Sequence, residues 1–355
     1  MKIKATLVVA GIVAGVAATA APINANNLVV MRAGTGSGAL TASTAAVFLD
    51  EYTTSGVLVQ SISVASSGAN ALTVGGTGVT EGILSLSNDG SRISFGGYRR
   101  DAGLATSTGR AVGSVDLAGN VDTLTDVTGI SGIFRSAVTN NGGQYWIGSA
   151  SSVAYIGGAG SSQAATVVDA RNSRQVNMFG GNLWASNGST AITGKVQTYG
   201  NMPTGTTAAN PIYSPGLNNA VHGFIALDLD ASVAGVDTLY AMDTVASRLI
   251  KMSLVGGIWV SNGNNGSSFG SFQNLTAIKN GNDVELYATS PTQIGKIVDS
   301  TGYNGTLGAS SFSAIATAAT NTAYRGISSF KPVPEPGSLL ALGLGAALFI
   351  RRKKA

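Results

Sequence analysis

Short apolar runs broken by Gly, Asn or Asp clusters recur along the chain, and no segment of its middle carries helical periodicity. That pattern predicts an all-β fold. The clearest unit is ILSLSNDGSRISFGG, from Ile83 to Gly97. Leu84 and Leu86 alternate with serines on the outgoing strand, and Ile93 and Phe95 alternate on the return. Asn88-Asp89-Gly90 between them reads as a tight turn, because Gly accepts a positive φ.

The unit repeats. AVTNNGGQYWI (Ala137 to Ile147) aligns without gaps on SLSNDGSRISF (Ser85 to Phe95), and AIKNGNDVELYATS from Ala277 has the same hairpin with a shorter turn. VNMFGGNLWAS from Val176 and FIALDLDASVAGVDTLYAMD from Phe224 are looser copies. In most copies a second hairpin follows, as in VGSVDLAGNVDTL and RLIKMSLVGGIWV, so each unit makes a four-stranded blade. Near the start, NNLVVMR and VFLDEYTTSGVLVQSISV supply three strands. GISSF (Gly326 to Phe330) supplies one strand without a partner. Joining the two ends gives a composite blade and removes exposed edges.

Taking Leu28, Ile93, Tyr145, Leu183, Leu239 and Leu286 as equivalent positions gives a single β-propeller of six four-stranded blades. Uneven spacing leaves seven as the alternative count. A β-sandwich or β-helix is the competing architecture, but a β-helix needs a shorter period. The hairpin is similar to the S-P-D-G type of β-propeller repeat, with Asn88 in the proline position. GSGALTASTAAVFLDEYTTSGVLVQSI together with EGILSLSNDGSRISFGGY also resembles a family of uncharacterised exported propeller-like proteins, which implies no known activity.

The two ends differ from the middle. Lys2 and Lys4 precede an apolar stretch from Leu7 to Val16, and small residues follow. Ala18-Thr19-Ala20 offers one A-x-A cleavage site and Ile23-Asn24-Ala25 a weaker one. This predicts a Sec signal peptide over residues 1–25, removed by signal peptidase. At the other end, Pro334, Glu335 and Pro336 force extended backbone before an apolar run from Leu339 to Ile350. Arg351, Arg352, Lys353 and Lys354 follow, and cations of this kind stay on the cytoplasmic side. The run is short against the roughly 20 residues of a full span. It predicts a short transmembrane helix that serves as a temporary anchor.

The tail resembles the PEP-CTERM sorting signal of Gram-negative bacteria that make exopolysaccharide. The resemblance covers Val333 to Ala355, within a predicted sorting region of 332–355. It implies recognition by an exosortase, with Pro334, Glu335 and Pro336 as the processing motif and a passage through the inner membrane before display or release. A propeller domain over 26–331 would be the exported body.

Composition supports export and narrows the chemistry. The chain has 355 residues, 21 Lys+Arg and 17 Asp+Glu, a net charge of +4. Removing the terminal Lys2, Lys4, Arg351, Arg352, Lys353, Lys354 and Glu335 takes six from 21 and one from 17. That leaves a body of net charge −1. Nucleic-acid binding therefore loses its basis, which is a clustered basic surface. Charged residues are 11%, against roughly 25% in an average domain. Cysteine is absent, which excludes disulfides, thiol nucleophiles and thiolate metal sites.

Few constellations carry chemistry. Gly266-Ser267-Ser268-Phe269-Gly270 matches G-x-S-x-G, but no helix is predicted after it and His222, the single histidine, precedes it. His222 alone cannot build a His-rich zinc site and reads as structural. Asp228, Asp230 and Asp237 could help hold Ca²⁺, though ordinary turn carboxylates explain them better. Asp89 in Ser87-Asn88-Asp89-Gly90 is expected to close its turn. Trp146, Trp184 and Trp259, with Tyr145 and Tyr199, could stack on sugar rings, and as core positions they would serve packing instead. The expectation is thus a non-enzymatic binding module associated with exopolysaccharide and without a cofactor. The alternatives are a glycan-cleaving enzyme with a metal in the central funnel and a passive matrix component.

Overall fold

The computed structural model describes residues 20–189, 194–213, 220–266 and 268–330. Among them every regular element is a β-strand, and no helix is long and apolar enough to cross a membrane. The predicted leader through residue 19 and the tail from residue 331, with Pro334, Glu335, Pro336 and the basic cluster, lie outside the described residues.

In chain order, β1 (Leu28–Ala33), β3 (Val47–Tyr52) and β4 (Leu58–Ser63) lie side by side, while β2 (Thr44–Ala45) pairs with β5 (Val74–Gly75) in a small separate sheet. β6 (Ser85–Leu86), β7 (Arg92–Tyr98), β8 (Arg110–Asp116) and β9 (Val121–Thr128) form an antiparallel set. So do β10 (Phe134–Thr139), β11 (Tyr145–Ser149), β12 (Val153–Ile156) and β13 (Gln163–Asp169). A third set is β14 (Ser173–Phe179), β15 (Asn182–Asn187), β16 (Val196–Thr198) and β17 (Asn210–Tyr213). Then come β18 (Val221–Leu227), β19 (Thr238–Asp243), β20 (Arg248–Val255) and β21 (Ile258–Asn264). The last full set is β22 (Asn274–Asn280), β23 (Asp283–Thr289), β24 (Gln293–Asp299) and β25 (Ser313–Thr317). The final strand, β26 (Ala323–Ser329), adds to the free edge of β1, with Leu28 opposite Ser329 and Val30 opposite Ile327. The expected joining of the two ends is therefore present.

The sheet count differs from the expectation of six separate four-stranded sheets. Four are separate, and the strands from β6 to β13 form one eight-stranded sheet. The reason is local. β13 meets β9 in a parallel ladder of only two residue pairs, Gln163 with Val127 and Ala164 with Thr128. The repeat alignment also needs a correction. Leu86 pairs with Ile93 across six intervening residues, whereas Val138 pairs with Trp146 across seven. The second hairpin is one residue longer, so the counterpart of Ile93 is Trp146 rather than Tyr145.

The strand period of two explains the core. Side chains alternate between faces, and a strand covered on both sides must be apolar at both parities. On β1, Val29, Met31 and Ala33 enter one apolar cluster with Ile93 and Phe95, while Leu28 and Val30 enter another with Tyr287 and Ile278. Other clusters join Val112 to Phe134, Val138 to Val176, Trp184 to Phe224 and Tyr240 to Leu286. Each cluster lies between neighbouring strand sets, and together they run in a closed cycle. This is a β-propeller-like arrangement. The outermost strands β4 and β25 are largely exposed, as rim strands must be.

A candidate binding channel

The innermost segments β6, β10, β14, β18, β22 and β26 surround a central channel. Hydrogen bonds link them at one level into a complete circuit. Gly326 N–H donates to Gly82 O (3.0 Å) and Ile83 N–H to Arg135 O (3.0 Å). Ser136 Oγ donates to Arg174 O (2.9 Å) and accepts from Val176 N–H (3.0 Å). Phe224 N–H donates to Gln175 Oε1 (2.8 Å), and Gly223 N–H to Gln273 O (2.8 Å). Asn274 Nδ2 donates to Arg325 O (3.0 Å) and closes the circuit. Backbone this close leaves no room for side chains. A Cβ on Gly326 would stand 2.4 Å from Gly82 O and from Leu84 N.

Just before this constriction, in chain order along the strands, sit the ionisable residues Glu81, Arg135, Arg174, His222 and Arg325. All but the half-buried Arg174 are buried. Glu81 accepts hydrogen bonds from Gly75 N–H (2.6 Å) and Tyr98 Oη (3.0 Å). Arg135 donates to Ser173 O (2.7 Å) and Asn172 Oδ1. Arg325 donates to Gly76 O (2.7 Å). Burial, reinforced by Arg174, lowers the Arg135 guanidinium to about 9, and burial lowers Arg325 to about 10. Burial first, then the charges of Arg174 and Arg135, pushes His222 down to about 3, against a hydrogen bond to Gln273. His222 is thus a neutral imidazole at neutral pH.

Beyond the constriction the channel widens into a cavity of about 180 Å³. Its polar lining includes Asn88, Gln175, Asn177, Thr276, Ser328 and Ser329, with Phe179, Leu86 and Ile225 as apolar wall. Two carboxylates line it, Asp89 and Asp228. Asp89 Oδ1 accepts from Ser87 Oγ (2.7 Å), Ser91 N–H (3.0 Å) and Ser91 Oγ (2.7 Å), and Gly90 has φ 71°, so Asp89 closes its turn as expected. Burial opposes ionisation of Asp89, but these donors outweigh it and hold its carboxyl below the usual range. His222 is not part of this lining.

The other singled-out residues separate. Asp237 accepts from Leu229 N–H, Asp230 N–H and Thr238 Oγ1, and Asp230 accepts from Ser232, so both organise a turn. No cluster of three metal-ligating His, Cys, Asp or Glu exists among the described residues. Ser268 accepts from Gly270 N–H in an exposed loop that leads to β22, without a helix. Trp146, Tyr145, Trp184 and Tyr199 are buried, with Trp146 Nε1 donating to Pro203 O (2.6 Å). Only Trp259 is half-exposed, edge-on to Trp184 at 6.0 Å.

The cationic cluster is not evident from the positions singled out in the sequence, because its members are far apart along the chain. A signal for it exists. Glu81-Gly82, Arg135-Ser136, His222-Gly223 and Arg325-Gly326 each place an ionisable residue before a small one at the start of an innermost segment.

No curated protein sequence matches the chain. It is similar in structure to a putative 6-phosphogluconolactonase from Bacteroides uniformis, at 11% identity over 77% of this chain and 78% of that one, with a TM-score of 0.45. It is similar to the Malassezia sympodialis allergen Mala s 1, at 10% identity over 71% and 85%, TM-score 0.46. TolB from Acinetobacter baumannii aligns at 11% identity over 85% and 66%, TM-score 0.43. Residues 332–354 match the PEP-CTERM protein-sorting motif. The chain is therefore an exosortase substrate, exported for display at the cell surface or beyond it.

Proposed function

We propose that the body is a non-enzymatic module that binds exopolysaccharide through the wide end of its central channel. The observation that carries this is the cavity lining. Amides and hydroxyls of Asn88, Gln175, Asn177, Thr276 and Ser328 converge on a small space with an aromatic wall at Phe179. Such a mixture of donors, acceptors and apolar surface suits a neutral sugar unit. Of the two carboxylates there, Asp89 is committed to its turn, which leaves no free acid–base pair for glycosidic cleavage.

The same reading divides the chain into a Sec signal peptide, a body of six four-stranded blades, and a sorting segment over 332–355. The count of six treats the eight-stranded sheet as two blades touching at β9 and β13; its halves have separate innermost strands and the apolar clusters lie between six neighbouring pairs, which supports six over seven. Pro334, Glu335 and Pro336 would be the exosortase recognition residues. The apolar run with Arg351, Arg352, Lys353 and Lys354 would hold the protein in the inner membrane until processing.

The test is capture of the processed protein on the host's own exopolysaccharide, with and without Ca²⁺, beside an Asn177→Ala variant. Binding that weakens in the variant supports the reading. Depolymerisation of the polymer would make the protein an enzyme, and absence of both would leave a passive matrix component.

A further inference from the structure

The narrow end of the channel holds more positive charge than the protein itself neutralises. Besides Arg135, Arg174 and Arg325, a fourth guanidinium, Arg110 on β8, is reached by Glu81's charge and lies over the ring of Glu81's partner Tyr98 at 4.6 Å. None of these four is in an ion pair among the described residues. Each leaves its buried Nε without a hydrogen-bond partner. Glu81 is the carboxylate whose charge reaches Arg110, Arg135 and Arg325, and it is already hydrogen-bonded by Gly75 and Tyr98. No carboxylate reaches Arg174, whose side chain makes no hydrogen bond among the described residues and packs over the backbone of Gly188.

Burying unpaired charge costs several kcal/mol per ion. Buried N–H groups normally find partners, and those that do not point to a missing ligand or to strain. Here the unpaired donors of Arg135, Arg174 and Arg325 come from separate innermost strands, whose carbonyls at these residues take part in the one hydrogen-bond circuit. Arg174 and Arg135 flank His222, whose imidazole is hydrogen-bonded to Gln273 and is kept neutral by burial and by their two charges, so no third cation crowds the site. The half-buried Arg174 is the side of the cluster open to solvent.

We propose that Arg135 and Arg174, beside His222 and backed by Arg325, form an oxyanion site at the narrow end of the channel, taking a carboxylate or phosphate group. Guanidinium forks match both groups in a two-point geometry. The site is separate from the sugar-binding cavity proposed above and does not depend on it. Its ligand could be a carboxylate borne on an acidic glycan or free inorganic phosphate, and both present the same two-oxygen edge to the forks.

Thermal unfolding of the processed protein should be followed at constant ionic strength with inorganic phosphate, glucuronate, glucose or chloride alone. The site predicts a rise in Tm with phosphate, glucuronate or both, and none with glucose. Arg174→Gln should weaken that binding about tenfold or more, since hydrogen bonds to a charged group are at stake. This variant removes no hydrogen bond of the described fold, so it should remain folded. Arg174→Lys should restore part of the affinity. A larger shift with glucuronate would identify the glycan as the source, and a larger shift with phosphate the free ion. Equal shifts with all solutes, no shift with either oxyanion, or a shift untouched by Arg174→Gln would overturn the proposal.

Discussion

Lys251 Nζ lies 2.8 Å from Asp299 Oδ2, and both side chains are sealed from solvent, at 0% and 1% exposure. The pair joins β20 to the end of β24, two neighbouring strand sets, and Tyr240 Oη adds a second donor to the same oxygen (2.6 Å). Lys251 also donates to Thr301 Oγ1 (2.8 Å) and Gly302 O (2.5 Å), so its three donors are all satisfied.

Removing one partner leaves a buried charge uncompensated. Lys251→Met should cost about 3–5 kcal/mol of stability, while the double change Lys251→Met with Asp299→Leu should recover most of it. Urea unfolding of the wild type and both variants measures this. A double variant no more stable than the single one would refute the account. The pair also sets a pH dependence. Burial raises the Asp299 carboxyl, but the donors Lys251, Tyr240 and Thr301 together hold it below its ordinary value. A lowered folded pKa means the contribution is present above the ordinary carboxylate range and lost as pH falls through the folded value.

His222 behaves oppositely in charge but alike in direction. It is neutral and buried in the fold, down to about 3, and would take a proton near 6.5 once unfolded. Unfolding therefore takes up a proton below about pH 6.5, so this group's share of stability falls as pH drops from about 6.5 towards 3. His222→Gln keeps a polar side chain beside Gln273 and should flatten the stability profile in that window while leaving pH 8 little changed. An unchanged slope between pH 6 and 4 would show that His222 does not supply it.

The hairpin pattern made the fold class readable, since strands covered on both faces are apolar at both parities and their turns carry Gly at positive φ, as at Gly90. The partnerless strand Gly326 to Phe330 pointed to closure, and Leu28 opposite Ser329 fulfils it. Pattern cannot count residues within a turn, so the hairpin at Val138–Trp146 was one residue out. Nor can it foresee that β9 and β13 touch, because rim contacts depend on tilt rather than on alternation. The cationic end was hidden because convergence in a ring depends on where each innermost strand starts, and only the register supplies that.

The circuit around the channel depends on glycine at its closest approaches. A methyl group at Gly326 would meet Gly82 O and Leu84 N, both backbone atoms that cannot rotate away. Gly326→Ala should destabilise by about 1–3 kcal/mol through overpacking. Gly270 has open space around it but a φ of 63°, so Gly270→Ala should cost only the smaller price of a strained backbone. Chemical denaturation of the two variants separates close approach from conformation, and equal losses would contradict the packing argument.

If the proposed leader is removed at one of its two A-x-A-like sites, the contacts of the residues between them predict which one. Residues from Ala21 onward are hydrogen-bonded into the body, whereas Ala20 only packs its methyl group against the apolar cluster. Ala21 N–H donates to Gln60 Oε1 (3.1 Å) and its carbonyl accepts from Gln60 Nε2 (2.9 Å). Ile23 N–H donates to Leu117 O (2.8 Å), and its side chain, 5% exposed, sits in the cluster with Val29 and Phe330. Asn24 N–H donates to Glu51 Oε1 (2.9 Å), which also accepts from Asn27 Nδ2 (2.6 Å). Cleavage after Ala25 would delete Ile23 from the core, a loss on the scale of about 2–5 kcal/mol for a large apolar side chain. It would also strip Glu51 of one of its donors. Cleavage after Ala20 removes none of these contacts, so the mature chain should begin at Ala21. Ala18→Leu should block processing, and Ala25→Leu should leave it intact. Intact-mass measurement of the exported protein reads the result directly, and a mature chain starting at Asn26 would sink the assignment.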